Sequence, residues 1–320
     1  MYETIQKLLA PGRGLLAADE STHTIEKRFA ALGLTSTPEL NKKYREMLFT
    51  TPEIEKYLGG VILFDETVRQ GLQKILQDRG IVPGIKVDGG LEPFNDTEEQ
   101  ITKGLEGLDA RLKGYLTPGL KFTKWRAVIK ISGIFPSDAF LEEDMNRVVE
   151  FARISQENGF VPIVEPEVLL DGNHTTTRCG EVSVKVWQIL FEKLKMESVD
   201  LKNLILKTNM VLPGKDSGVK AAPLEVAEAT LRSLAKSVPS EVGGVVFLSG
   251  GQTPDEATDN LNEIVKRRAS APWQISFSYS RALQEEAMRA WAGKDENITE
   301  AQKIFLARLE KVSKARNGQL

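Results

Sequence analysis

Eight short apolar runs recur along the chain, separated by longer segments in which apolar residues have helical spacing. The runs are rich in Val, Ile and Leu, and nearly every position is apolar rather than every second one. Such continuous apolarity is typical of strands buried on both faces, as in a parallel sheet. The sequence therefore predicts eight buried parallel strands. They cover residues 14–19, 59–64, 84–88, 125–131, 161–165, 204–207, 244–249 and 274–278.

Amphipathic stretches lie between these runs. In residues 223–236, for example, Leu224, Leu231 and Leu234 belong to one apolar stripe, and Pro223 suits a first helical turn. We predict helices over residues 66–77, 97–115, 142–157, 181–195, 223–236, 254–267 and 281–291. Residues 40–49 add a helix before the second strand. Residues 299–316 form a polar final helix, which we expect outside the ring of helices around the strands.

Eight strands that are each followed by a helix predict an α/β fold, a closed (β/α)₈ TIM barrel with extra N-terminal and C-terminal helices. The length of 320 residues accommodates a barrel, which needs about 250. An open doubly wound sheet is the alternative, but the repeated units lack a Gly-rich nucleotide fingerprint, which favours closure. No linker or low-complexity tract divides the chain, so we expect one domain over residues 1–320.

Net charge, apolar runs and the numbers of cysteines and histidines exclude several classes of function. A net charge of −3 provides no field for gripping nucleic acid or an acidic membrane. No apolar run approaches the roughly 20 residues of a membrane helix, and residues 1–13 lack the apolar stretch of a signal peptide, so we expect a cytoplasmic protein. The single Cys179 forbids an internal disulfide, and two histidines exclude a metal site built on three. Both histidines, His23 and His174, are expected to face solvent.

Charged and hydroxyl side chains occur where the predicted strands end. The carboxyl ends of barrel strands meet on one face, where catalytic groups gather. Each residue alone is typical of a solvated strand end, but seven strands with this feature favour an active site. The second strand, ending at 64–66, is ambiguous. The candidates are Asp19, Lys86 with Asp88, Lys124 with Arg126, Glu165 with Glu167, Lys207, Ser249, and Ser278 with Arg281.

Lysine chemistry is the first functional candidate. A lysine attacks carbonyl carbon as the neutral amine, which burial and neighbouring cations favour. Lys207 ends a clearly buried run and is a candidate imine former, while Glu165 is expected to move protons if apolar surroundings raise its pKa toward neutrality. A structural Lys–Glu ion pair is the alternative. Lys124 and Lys130 lie on the same face of their strand, and alternation does not decide which of them reaches the site.

The segment Ser249-Gly250-Gly251 is a candidate phosphate cradle. Glycines let backbone N–H groups approach an anion closely. Barrels commonly bind phosphate at the loops after strands seven and eight, where Arg281 also lies. A plain tight turn is the alternative.

The motifs at the strand ends together resemble those of class I fructose-1,6-bisphosphate aldolases, the Schiff-base type, over nearly the whole chain. They occur in the family's order, one per strand. The resemblance implies a barrel that needs no metal or organic cofactor, that acts on phosphorylated ketoses and triose phosphates, and that assembles as a homotetramer. The motifs are LLAADES at 15–21, GGVILF at 59–64, GIKVD at 84–88, KWR at 124–126, VPIVEPE at 161–167, LK with NM at 206–210, FLSGGQ at 247–252 and FSYSR at 277–281.

The resemblance also implies roles for individual residues. Lys207 matches the imine-forming lysine, Glu165 the general acid and base, and Glu167 a second carboxylate beside that lysine. Asp19 and Lys124 match residues that relay protons and hold charge around the imine, which selects Lys124 over Lys130. Residues that match the ketone-side phosphate site are Ser249, Gly250, Gly251, Ser278 and Arg281. Ser21, Arg28 and Lys86 match positions associated with the other phosphate, and Thr24 stands where many members have serine. Arg126, in the KWR motif, is a further substrate-binding candidate.

The implied activity is reversible cleavage of fructose 1,6-bisphosphate into dihydroxyacetone phosphate and glyceraldehyde 3-phosphate, in glycolysis and gluconeogenesis. An aldolase for a related ketose such as fructose 1-phosphate is the nearest alternative. A catalytically weak scaffold or sugar-phosphate-binding module is the alternative from another class. The presence of both Lys207 and Glu165 argues against it.

Two features depart from the resembled family. Ser280 stands where a glycine is usual between tyrosine and arginine. The family usually continues into a flexible tail that ends in tyrosine, whereas the last tyrosine here is Tyr279. From the second departure we expect slow protonation of the enamine, and hence a burst of glyceraldehyde 3-phosphate in the first turnover.

Overall fold

A closed barrel of eight parallel strands forms the centre of the protein. The computed structural model describes residues 1–268 and 271–320. A two-stranded hairpin of β4 (Leu91–Pro93) and β5 (Gln100–Thr102) is separate from the barrel, whose strand order is β1-β10-β9-β8-β7-β6-β3-β2. All eight predicted strands are confirmed. The barrel strands are β1 (Gly14–Ala18), β2 (Leu58–Leu63), β3 (Val82–Lys86), β6 (Phe122–Ile129), β7 (Val161–Val168), β8 (Ile205–Thr208), β9 (Gly244–Phe247) and β10 (Ile275–Tyr279).

The helices surround the barrel in the alternating order that the sequence predicts. Proline occupies the first turn of three of them, where its missing N–H costs no hydrogen bond. They are α1 (Tyr2–Leu8), α2 (Thr22–Ala30), α3 (Pro38–Thr50), α4 (Asp65–Arg69), α5 (Gln73–Asp78), α6 (Leu108–Leu116), α7 (Asp138–Glu157), α8 (Thr176–Met196), α9 (Pro223–Ser237), α10 (Pro254–Arg267), α11 (Arg281–Trp291) and α12 (Ile298–Arg316).

Helix α1 closes the amino-terminal end of the barrel. Leu8 and Leu9 pack with the apolar side chains inside the barrel, such as Phe122. The close approach requires glycine at the start of β2, because a Cβ on Gly59 would lie 2.3 Å from the Leu8 carbonyl oxygen. This end is therefore filled, which leaves the carboxyl end of the strands for a ligand.

The helix predicted over 97–115 is wrong in its first half. Residues Gln100–Thr102 form β5, antiparallel to β4, and the helix begins at Leu108. Gly104 and Gly107 adopt φ values of 123° and 64°, which a right-handed helix does not contain. The helical spacing of apolar residues in this segment therefore arises by chance and does not reflect a helix.

Two other helix predictions need correction. The helix predicted over 66–77 is broken into α4 and α5 at Gly71, whose φ is 76°. The final helix is not polar throughout, because α12 buries Phe305, Leu309 and Val312. Its buried Arg308 forms ion pairs of 2.7–2.8 Å with acidic side chains on α10 and α11, which satisfy the charge.

The β4–β5 hairpin is attached to the barrel through Thr102. Its hydroxyl donates to the Arg126 carbonyl at 2.8 Å, and its carbonyl accepts from Arg147 at 3.0 Å. Its N–H lies 3.5 Å from one oxygen of Asp144, whose other oxygen has no partner in the described part of the chain. Asp144 is fully buried, and burial raises its pKa to about 7.

Asp144→Asn is expected to remove a pH-dependent loss of stability. The folded protein holds the Asp144 proton more tightly than the unfolded chain, whose carboxyl has a pKa of 3.8, so the free energy of unfolding falls as pH rises between those two values. Urea denaturation should show the variant gaining about 2 kcal/mol relative to wild type between about pH 5 and pH 7. If the difference in unfolding free energy between the variant and wild type is the same at pH 5 and pH 7, the pKa of Asp144 is not raised.

Candidate active site

A cavity of about 640 Å³ opens at the carboxyl ends of the barrel strands. Every site residue predicted from the sequence lines it except Gly251. Gly251 adopts a φ of 80°, and a Cβ there would clash with Leu170, so this glycine serves the turn rather than the cavity wall. Its neighbours Ser249 and Gly250 do line the cavity, so the segment combines a tight turn at Gly251 with two positions on the cavity wall.

Four charged side chains form a continuous buried chain at the base of the cavity. Lys207 Nζ lies 2.9 Å from Glu165 Oε1, and Lys124 Nζ lies 2.8 Å from Glu165 Oε2. Lys124 Nζ also donates to Asp19 Oδ2 at 2.9 Å. The four groups come from β7, β8, β6 and the end of β1, so barrel closure alone brings them together. One carboxylate thus bridges two lysines.

The Glu165 carboxylate is held in its ionised form. Burial raises its pKa, but the positive charges of Lys124, Lys207 and Arg126 outweigh burial and bring the pKa below its ordinary value. The expectation that apolar surroundings raise this pKa toward neutrality is therefore wrong. The reason is that all three cations lie on β6 and β8, the strands adjacent to β7, so apolar strand residues do not set the environment of the carboxylate.

Lys124 and Asp19 are also held in their charged forms. Burial lowers the pKa of Lys124, but the negative charges of Asp19, Glu165 and Asp88 raise it well above its ordinary value. Burial raises the pKa of Asp19, but nearby lysines, above all Lys124, hold it well below its ordinary range. Lys124 therefore remains a cation, with two carboxylates as partners against one for Lys207.

A second pair of charges lies farther along β6 and β7. Arg126 Nε donates to Glu167 Oε2 at 2.5 Å. Burial lowers the pKa of Arg126, but Glu167 and other carboxylates raise it overall, so the guanidinium stays charged. A Cβ on Gly250 would lie 2.8 Å from Glu167 Oε1, so glycine allows this carboxylate to approach the loop after β9.

The ketone-side phosphate ligands predicted from the sequence gather where β9 and β10 end. Ser249 and Ser278 are buried, and Ser278 Oγ has no hydrogen-bond partner within residues 1–268 and 271–320. Arg281 is exposed at the first position of α11 and faces the same cavity. A buried hydroxyl without a partner beside a flexible arginine suits a site completed by an anionic ligand.

Four more predicted ligands line the part of the cavity wall formed by α2, which follows β1, and by the end of β3. Ser21 and Thr24 lie at the start of α2, with their hydroxyls 3.1 Å apart, and Arg28 lies one turn farther along the same helix. Lys86 at the end of β3 pairs with Asp88 at 3.0 Å. This wall therefore carries two cations and two hydroxyls, which are groups that bind phosphate.

Lys130 lies outside the cavity. It follows the last residue of β6, is partly exposed, and pairs with Glu98. Alternation placed Lys124 and Lys130 on one face, but the strand ends before Lys130. The structure therefore selects Lys124, in agreement with the family resemblance.

Comparison with known proteins agrees with this geometry. The family model described as fructose-bisphosphate aldolase class-I matches residues 1–320. The chain is 45% identical over 315 residues to cytosolic fructose-bisphosphate aldolase 4 of Arabidopsis thaliana, a match that covers 96% of this chain and 80% of the relative. The chain belongs to the class-I fructose-bisphosphate aldolase family.

Further aldolases match along nearly their whole length. A probable class 1 fructose-bisphosphate aldolase of Xanthomonas campestris is 44% identical over 328 residues, which cover 100% of this chain and 98% of the relative. The solved structure of the Plasmodium falciparum fructose-bisphosphate aldolase, in complex with TRAP and a small-molecule inhibitor, matches with a TM-score of 0.96 at 42% identity. That match covers 99% of this chain and 94% of the Plasmodium chain.

Several cavity residues of this aldolase were not assigned a role from the sequence. Asp88 accepts from Lys86, and Glu20 and Ser280 line the cavity beside Arg28. Glu20 lies within the LAADES motif and Asp88 within GIKVD, so a carboxylate at a strand end was the available signal. The contact of Ser280 with Glu20 joins residues 260 positions apart and left no local signal.

One of the two histidines differs from expectation. His23 is exposed as expected, but His174 is buried in the loop after β7. The chain near Gly214 folds over that loop, and its N–H donates to the His174 carbonyl at 2.8 Å. Cys179 has no assigned role, and burial raises its pKa to about 11. No helix within residues 1–268 and 271–320 has the length and apolarity to cross a membrane.

Proposed function

We propose that this aldolase cleaves fructose 1,6-bisphosphate reversibly through an imine formed on Lys207. The observation that carries the proposal is the buried Lys207 amine, 2.9 Å from Glu165 at the open end of the barrel. Glu165 accepts a proton from Nζ, and the neutral amine attacks the C2 ketone. The Glu165 carboxyl then returns this proton to the departing C2 oxygen, so loss of water gives a protonated imine and restores the carboxylate.

Carbon–carbon cleavage follows from the charge on that imine. Glu165 removes the proton from the C4 hydroxyl, the C4–O pair forms the aldehyde, and the C3–C4 bonding electrons move into the imine. Glyceraldehyde 3-phosphate leaves and an enamine remains. Protonation at C3 and hydrolysis then release dihydroxyacetone phosphate and restore Lys207. No metal or organic cofactor takes part in these steps.

Lys124 and Asp19 support this sequence as fixed charges. Lys124 stays protonated between two carboxylates, so it stabilises negative charge on the substrate and on Glu165 rather than acting as the nucleophile. Lys207 contacts Glu165, the group that serves as its base in the proposed reaction. We assign Glu167 to the second carboxylate beside the imine, in contact with the substrate-binding Arg126.

We further propose that phosphates bind at the two walls of the cavity. Ser249, Gly250, Ser278 and Arg281 bind the ketone-side phosphate, with Gly251 shaping the loop. The ligands of the other phosphate are Ser21, Thr24, Arg28 and Lys86. Cations on both walls favour a substrate with phosphate at both ends over fructose 1-phosphate.

Location and assembly are proposed from relatives and from the family resemblance. We place the enzyme in the cytoplasm because relatives from Arabidopsis and spinach are named cytosolic or cytoplasmic aldolases. A homotetramer is proposed from the family resemblance. Sedimentation equilibrium of the purified chain measures the assembly directly.

A coupled assay of triose phosphate release tests the proposed activity. We expect fructose 1,6-bisphosphate to yield both triose phosphates in equal amounts, with a higher kcat/KM than fructose 1-phosphate. Preferred turnover of the monophosphate would favour the related-ketose alternative. Ligand binding without triose release would favour a binding module.

Arg281→Ala is expected to weaken phosphate binding with little effect on folding. Its exposed guanidinium makes charge-assisted bonds to phosphate, worth roughly ten- to a hundredfold in affinity. The measurement is KM for fructose 1,6-bisphosphate together with the melting temperature. Arg289→Ala, an exposed arginine on the same helix, is the matched control. An unchanged KM with a lowered melting temperature would make Arg281 structural.

A further inference from the structure

Ser280 occupies the centre of a hydrogen-bonded network between the two phosphate-binding walls. Its Oγ lies 3.0 Å from Glu20 Oε1, 3.0 Å from Arg28 Nη2 and 3.2 Å from Gln284 Nε2. The hydroxyl donates to the carboxylate and accepts from the other two groups. Its single proton and both lone pairs are thus used, which fixes the orientation of the hydroxyl.

The network is anchored in the protein interior. Gln284 is fully buried and accepts from the Tyr44 hydroxyl at 2.9 Å. One of its two amide N–H groups donates to the Ala17 carbonyl at 2.7 Å, and the other is shared between Glu20 Oε1 at 3.1 Å and Ser280 Oγ at 3.2 Å. Tyr44 is fully buried as well. Ser280 is therefore bonded to Gln284 and Glu20, which are fixed by burial, and its hydroxyl holds Arg28 in place relative to them.

Arg28 is the one member of the network that belongs to the phosphate ligands. Glu20 holds its Nη1 at 2.5 Å, and Ser280 holds its Nη2. Each terminal nitrogen keeps a second N–H, and Nε–H is also available, so an anion is able to bind without breaking either bond. Ser280 also directly precedes Arg281, the candidate ligand of the ketone-side phosphate.

We propose that Ser280 is a positioning residue that selects a ketose with phosphates at both ends. It fixes the Arg28 guanidinium relative to Arg281, and so holds both arginines at the separation that one bisphosphate spans. A glycine at this position would make none of these side-chain bonds. The inference rests on the proposed function, because it needs phosphate to bind at both walls.

Ser280→Ala tests the inference, because it keeps the backbone and removes the hydroxyl. KM for fructose 1,6-bisphosphate should rise about three- to tenfold with kcat unchanged, less than for a lost direct bond to phosphate, because the hydroxyl acts on the phosphate only through Arg28. KM for fructose 1-phosphate should stay within about twofold, because that ketose has no phosphate for Arg28. Ser280→Thr retains the hydroxyl and should restore the preference for the bisphosphate.

A double-mutant cycle separates positioning from a structural role. In an Arg28→Lys background no Nη2 remains to contact Ser280, so adding Ser280→Ala should change KM for the bisphosphate no further. Additive effects, or equal changes for both ketoses, would overturn the inference. Wild-type enzyme that releases no triose phosphate would instead overturn the proposed function. Normal wild-type cleavage with an unchanged substrate preference in Ser280→Ala would overturn the Ser280 inference alone.

Discussion

Lys207→Arg should abolish cleavage of fructose 1,6-bisphosphate while the protein remains folded. Arginine keeps the positive charge beside Glu165, but its guanidinium does not lose a proton and so forms no imine. Loss of a covalent nucleophile typically lowers kcat by about 10⁴-fold or more. The measurement is triose phosphate release, with circular dichroism as the check on folding.

Lys130→Arg is the matched control for this variant. Lys130 is the other lysine that the strand pattern placed on the same face as Lys124, yet it pairs with Glu98 outside the cavity. Its replacement should leave kcat within about twofold of wild type, as is usual for surface substitutions. Residual turnover near the wild-type rate in Lys207→Arg would contradict the assignment.

Glu165→Gln should slow both imine formation and carbon–carbon cleavage, because Glu165 is the proposed base in both steps. The amide has nearly the shape of the carboxylate but accepts no proton, so cleavage should slow by about 10²- to 10⁴-fold, the usual contribution of a general base. Removing the shared anion also leaves two buried lysines facing a neutral group, so the free energy of unfolding should fall by about 3–5 kcal/mol. Rapid-quench kinetics measures cleavage, and urea denaturation measures stability.

Glu98→Gln controls for the loss of an ordinary ion pair. Glu98 also forms an ion pair with a lysine, Lys130, but both side chains are partly exposed. Screening by water therefore leaves this pair with little effect on stability. This variant should retain wild-type turnover and leave the unfolding free energy close to that of wild type. If Glu165→Gln behaves in the same way, the buried Lys–Glu contact is structural rather than catalytic.

The strands of this aldolase could be predicted because their signal is local. A run such as Leu204 to Lys207 is apolar on both faces wherever it lies in the chain, and all eight runs are strands. The hairpin at Leu91–Pro93 and Gln100–Thr102 could not, because each of its strands is three residues long and apolar residues beside it have helical spacing. The positive φ values of Gly104 and Gly107 exclude a helix through this segment, and the sequence pattern does not reveal them.

The same distinction between local sequence signals and contacts made only in the folded chain applies to the candidate site. Reading the ends of the strands was enough to find Lys207 and Glu165, because barrel topology brings those ends together. The ionisation of Glu165 depends on its distances to Lys124 and Lys207, which no strand pattern contains. The contact between Ser280 and Arg28 joins residues 252 positions apart, so only the folded chain reveals it.

Trapping the intermediate tests the central claim that Lys207 forms an imine with the ketose. The enzyme is treated with borohydride in the presence of dihydroxyacetone phosphate, and the modified peptide is then mapped by mass spectrometry. Reduction of the imine leaves a stable secondary amine, and we predict this modification on Lys207 alone. Modification of Lys124 or Lys130, with Lys207 unmodified, would contradict the account.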